Sequence, residues 1–153
     1  VRLDDAQSDR VRAFCEQGAD VATLQTPAEL FYAANRWNWD DGLDGPRALL
    51  SHPDFPRAAA LLLYWNGGYD ILTDCGTVEE AEEEFQAGDV FVLLMALEAA
   101  VIAGLPTHGI AYDPSNDGGT DWTSEGRDDL VHAVPAVMFD AVDGEAVVAA
   151  LRW

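Results

Sequence analysis

Helix starts and stops punctuate this chain so often that no helix can run long. Thr26-Pro27-Ala28-Glu29 sets out an N-cap threonine, an N1 proline and a capping-box glutamate in order. Thr77 and Glu80 repeat the threonine-to-glutamate spacing. Upstream, Val11, Phe14 and Cys15 recur at helical spacing in LDDAQSDRVRAFCEQG, and Gly18 can stop that helix. Pro46 reads as the first residue of a further helix and Pro53 as its stop. Asp54 then reads as the N-cap of a helix over DFPRAAALLLYWNGG, with Gly67-Gly68 as its breaker. DVFVLLMALEAAVIAG is apolar nearly all round and is expected to be the central, buried helix. Glu98 interrupts it and is expected on a narrow solvated stripe; if buried instead, it needs an arginine partner.

The character changes after Gly104. LPTHGIAYDPSNDGGTDWTSEGRDD has neither helical nor strand periodicity, and loops of that length are usually functional or packed by their own side chains. Pro135 interrupts LVHAVPAVMFDAV, and DGEAVVAALRW reads as a last short helix. The expected fold is all-α: short helices packed as successive helical hairpins, with one long ordered loop near residues 105–125. A chain of 153 residues fits one domain, residues 1–153.

Charge limits the partners. Eight basic residues, all arginine, face 28 acidic ones, for a net charge of −20. Such a field repels nucleic acid and anionic membrane surfaces and attracts basic proteins, cationic ligands or divalent metals. The apolar run Val90–Ala103 falls short of the ~20 residues that span a bilayer, and the polar N-terminus is unlike a signal peptide. A cytoplasmic monomer or dimer is expected. Cys15 reads as a small core residue; Cys15 and Cys75 form no CxxC pair, and their redox state stays open.

Four features compete for function. In RWNWDDGLDGP, Asn38, Asp40 and Asp41 suit caps and an Asx-turn, Gly42 suits a positive φ, and Trp37 and Trp39 can pack between two helices. The structural reading is preferred over acid–base chemistry by Asp40 and Asp41, because adjacent side chains diverge. In DPSNDGGTD, Asp113, Ser115, Asp117 and Asp121 fall where an EF-hand-like loop places oxygens, but Ser124 stands where the loop needs glutamate. Weak calcium binding there, or a metal-dependent hydrolase using His108 as well, is the alternative to a tight loop anchored by Tyr112 and Trp122. Glu79, Glu80, Glu82, Glu83 and Glu84 form an acidic cluster that reads as a docking face for a basic protein, with Trp122 as an aromatic anchor. His52 reads as a helix-end residue, and the remaining histidines, His108 and His132, offer no zinc spacing. No HExxH, GxSxG or phosphate loop is present, so no catalytic residue is assigned.

NWDDG (38–42), a proline, HP (52–53) and ALLLYWNGGY (60–69) together resemble the bacterial domain of unknown function numbered 4274. IAYDPSNDGGTDWT and the VP before MF resemble the C-terminal part of longer members, so the likeness covers about residues 29–139. The chain departs from the pattern at FPRAAALL (55–62), where a Cys-Asp-x-Gly-Thr-Ala-Leu-like segment is expected. The resemblance implies no catalytic residues. It does imply kinship with small bacterial proteins found among toxin-immunity genes. Charge and resemblance together give the expectation of a non-enzymatic acidic binding protein, an immunity-type inhibitor that blocks a basic toxin, without a cofactor.

Overall fold

Six α-helices form the body of the computed structural model, which describes residues 1–124 and 129–149. They are α1 (Asp5–Gln17), α2 (Pro27–Arg36), α3 (Asp44–Ser51), α4 (Arg57–Asp74), α5 (Val78–Phe85) and α6 (Gly88–Ala103). The fold is all-α, and its helices pack in sequence-adjacent pairs, α1 on α2 and α5 on α6, around α4. No helix among the described residues is long and apolar enough to cross a membrane.

The capping signals act as their chemistry dictates. Thr26 accepts the Glu29 N–H, and Glu29 answers with bonds from the Thr26 and Gln25 amides, at 2.7 and 2.8 Å. Glu29 is fully buried, and its other carboxylate oxygen lies 2.7 Å from the Arg10 guanidinium, so one residue caps α2 and ties it to α1. Gly18 ends α1 in the left-handed conformation, with φ of 69°. Thr77 caps α5 through the Glu80 N–H, while the Glu80 carboxylate reaches one residue further back, to the Gly76 N–H at 2.8 Å.

Several sequence expectations are corrected. Asp54 and Pro46 do not start helices: α3 begins at Asp44, and α4 begins after Pro56. Gly67 and Gly68 do not break α4, which runs on to Asp74. The glycines are there for space, since a Cβ at Gly67 would lie 2.3 Å from the Trp39 ring and one at Gly68 2.5 Å from Leu94. The central helix is α4, not α6. Eleven of the 18 residues of α4 are buried against seven of 16 in α6, and every residue from Ala58 to Trp65 is enclosed.

The expected final helix over 143–153 is also corrected for its described part, residues 143–149, which is extended. Its backbone finds partners across the chain. Glu145 donates to the Gly109 carbonyl and Ala111 to the Glu145 carbonyl, while Leu3 donates to the Val148 carbonyl and Val148 to the Val1 carbonyl. Those non-local pairings satisfy backbone groups that a helix would otherwise satisfy internally. The remainder, 150–153, lies outside the described residues. Cys15 and Cys75 are free thiols, and burial pushes the Cys15 thiol up to about 12.

Candidate functional site

Trp37 and Trp39 each sit on a glycine. A Cβ at Gly45 would lie 2.2 Å from the Trp37 ring, so the corner between α2 and α3 closes only because that position has no side chain. The Trp37 indole donates to the Gly42 carbonyl at 3.0 Å and its ring lies 5.8 Å from Phe14. Asn38 accepts the Asp40 N–H and Gly42 takes a φ of 87°. Trp39 meets Gly67 in α4, so NWDDG and YWNGGY are two halves of one packing contact. Asp40 and Asp41 are exposed, with no acid or histidine paired to them among the described residues.

The three residues before those glycines each anchor something different. Tyr64, fully buried, donates to Glu98 of α6 at 2.5 Å. The Trp65 indole donates to the Met138 carbonyl at 2.8 Å, and Asn66 donates to Asp117 at 3.0 Å. Consecutive side chains on a helix point about 100° apart, so Tyr-Trp-Asn can hold three separate segments around α4.

Glu98 is thereby corrected twice. It is 8% exposed rather than on a solvated stripe, and its partners are Tyr64 and His132 rather than arginine. The His132 Nε2 lies 2.7 Å from the same Glu98 oxygen, and the Phe91 and His132 rings meet nearly perpendicular, 5.7 Å between centroids. Burial, and then the bond to Glu98, drive the Tyr64 hydroxyl above its ordinary range. The group clamps α4, α6 and the segment around His132.

Asp117 is the hub of the long loop. One of its oxygens accepts from Asn66 at 3.0 Å, Tyr112 at 3.2 Å and the Trp122 indole at 2.9 Å. Asp117 and Thr120 exchange backbone bonds across Gly118 and Gly119, both of positive φ. Asp113 caps Ser115, and Asp121 caps Thr123, each through one oxygen. The carboxylates expected to surround a metal are therefore directed at protein donors, and the Ser115 hydroxyl donates to one of them. Among the described residues no group of three or more His, Cys, Asp or Glu side chains is placed to hold one. His108 is exposed in the left-handed conformation, away from these bonds. His52 ends α3 and accepts the Asp54 N–H.

The five glutamates of α5 divide by duty. Glu80 caps at Gly76, and Glu82 accepts the Gly88 N–H at 3.0 Å, where α6 begins. Glu79, Glu83 and Glu84 are exposed and make no hydrogen bond or ion pair among the described residues. Between α5 and α6 runs a groove of about 500 Å³, lined by Val78 and Val92 together with Gly88, Glu79, Glu82, Glu83 and Asp89. Val78 and Val92 are 38% and 52% exposed, so the groove offers apolar surface ringed by negative charge. Glu80, Glu84 and Trp122 do not line it; Trp122 is partly buried against Tyr69, 5.4 Å between rings. The acidic cluster was visible in the sequence, whereas the exposed valines beneath it were not.

Residues 25–100 match the family model for the domain of unknown function DUF4274. The match takes in both packing motifs, α5 and nearly all of α6, and leaves the Asp117 loop outside. No curated protein and no solved structure matches the chain.

Proposed function

Residues 25–100 belong to the DUF4274 family, and on that premise we propose that the protein is a non-enzymatic binding module whose α5–α6 face docks a basic protein. Its specific role is that of a cytoplasmic immunity-type inhibitor, which occludes a basic toxin domain by shape and charge.

One observation carries this reading: the valine-lined groove whose surrounding carboxylates pair with no cation among the described residues. No arginine or lysine occurs between Arg57 and Arg127, so α5 and α6 bring no cation of their own. Like charges also stand at i,i+4 on α5, Glu79 with Glu83 and Glu80 with Glu84, an arrangement that weakens a helix. Charges that cost the fold stability and face outward are most useful for a partner. Their main contributions are faster encounter and selection against wrong partners. The exposed valines supply the apolar centre that an interface needs.

The test is capture from a lysate of the source organism on immobilised wild type and on a Glu79→Gln/Glu83→Gln/Glu84→Gln variant. Elution uses rising salt, because the screening length falls from ~10 Å at 0.1 M to ~3 Å at 1 M. The expected result is one stoichiometric basic protein, held by wild type, absent from the variant, and inhibited in its own activity when bound. A basic protein held equally by both, or no specific protein on folded bait, removes the reading. The calcium alternative built on Asp113, Ser115, Asp117 and Asp121 has no observation in its favour in this geometry.

A further inference from the structure

Helix α6 is apolar almost all round, yet it is not enclosed. Val92, Ala96, Ala99 and Ile102 are all exposed, with Val92 at 52% and Ile102 at 61%. Their spacing of four, three and three residues places them in one stripe along the outer face. A helix of this composition is normally buried on every side, and α4 shows what that looks like in the same molecule. Apolar surface that forms a continuous patch marks an interaction site more often than scattered exposed residues do.

The stripe begins inside the acidic groove, because Val92 belongs to both. From there the surface is graded: carboxylates of Glu79, Glu83 and Asp89 at one end, then about 15 Å of helix face from Val92 to Ile102 with no exposed charge, Glu98 being buried. The two alanines between a valine and an isoleucine make a shallow saddle, and a small-residue saddle lets a second helix axis come close.

We infer that the occupant of this face is an amphipathic helix of the basic partner, lying along α6 with its apolar ridge on the stripe and its basic end over α5. This rests on the reading of the α5–α6 face as a docking surface and specifies how it is used. A second copy of this chain fits less well. It would bring a net charge of another −20 to a face already ringed by acids, with only eight arginines to set against 28 acidic residues.

The probes are two synthetic peptides of one composition, rich in Leu, Ala and Arg. In one, the apolar residues repeat at helical spacing with the arginines at one end; in the other, the order is scrambled. Fluorescence anisotropy follows each against the full chain, against Ala99→Gln/Ile102→Gln, and against Glu79→Gln/Glu83→Gln/Glu84→Gln. The patterned peptide is expected to bind wild type about tenfold or more tightly than the scrambled one, a difference of one apolar contact or two. The stripe variant should erase that preference, and the α5 variant should weaken both peptides. Equal binding of the two peptides, with both weakened by the α5 variant, overturns the helix inference and leaves the docking reading in place. Binding of neither peptide overturns both. A concentration-dependent dimer in sedimentation that Ala99→Gln/Ile102→Gln dissolves gives the stripe to a second copy, and so also overturns the inference.

Discussion

The loop around Asp117 and the helix α5 are both rich in carboxylates, and they use them in opposite ways. In the loop, one Asp117 oxygen takes three donors drawn from α4 and the loop itself. Asp113 and Asp121 each fold a short turn back on the chain. On α5, Glu79, Glu83 and Glu84 face water beside two exposed valines. The loop acids hold the fold together, whereas the free acids of α5 contribute nothing to it. Acid content alone therefore does not distinguish the two regions; the presence or absence of a donor for each carboxylate does.

Removing the hub should have the largest effect. Asp117→Ala leaves Tyr112 and Trp122 with unsatisfied donors in partly enclosed surroundings, and should cost about 2–4 kcal/mol of stability in denaturant unfolding. A loss below 1 kcal/mol would mean that water replaces the carboxylate, and the contrast between the regions would weaken.

Next comes the joint between the NWDDG corner and the glycines of α4. Gly67→Ala drives a methyl into Trp39 and should cost about 1–3 kcal/mol, while Gly67→Ala combined with Trp39→Ala should lose less than the sum of the two single changes. Strict additivity would show that the ring moves aside without strain.

The loop should also carry an alkaline signature. Burial, reinforced by the charge of Asp117, raises the Tyr112 hydroxyl above its ordinary value of 10.0. A raised folded value favours the native state at lower pH, so this contribution is intact below pH 10.0 and is lost as pH rises beyond it. Melting temperature should fall above that pH in wild type and fall less in Tyr112→Phe. Identical profiles would detach Tyr112 from the hub.

The smallest effect on stability belongs to α5. Glu79→Gln/Glu83→Gln/Glu84→Gln should unfold within about 0.5 kcal/mol of wild type, on the stabilising side, since it relieves like-charge neighbours. Calcium at millimolar concentration offers a further way to break the comparison: a rise in melting temperature that Asp117→Ala abolishes would show the loop acids leaving their protein donors for a metal.

Local chemistry made part of this legible in the sequence. Thr26, Pro27, Glu29, Gly18 and Thr77 act within a turn of themselves, so their capping roles could be read directly. Gly67 and Gly68 were misread because their reason lies in Trp39 and Leu94, far away in sequence. Glu98 was misread for the same cause: both of its partners, Tyr64 and His132, stand 34 residues from it. The extended segment 143–149 has helix-compatible residues, but backbone pairing with residues 109–111 and the N-terminus decides its conformation. At the candidate site, the glutamates were visible as a run, whereas the valines are apolar positions whose exposure only the packing of α5 on α6 settles.

The central claim is that the free acids of α5, and not those of the loop, belong to a partner. Its most direct test is the affinity of the captured basic protein, by calorimetry at low salt, for wild type, for Glu79→Gln/Glu83→Gln/Glu84→Gln and for Asp117→Asn. The account predicts that the α5 variant loses at least about tenfold in affinity while keeping its melting temperature, and that Asp117→Asn melts earlier yet binds as wild type does when folded. Undiminished binding by the α5 variant, or binding lost only in Asp117→Asn, would contradict it.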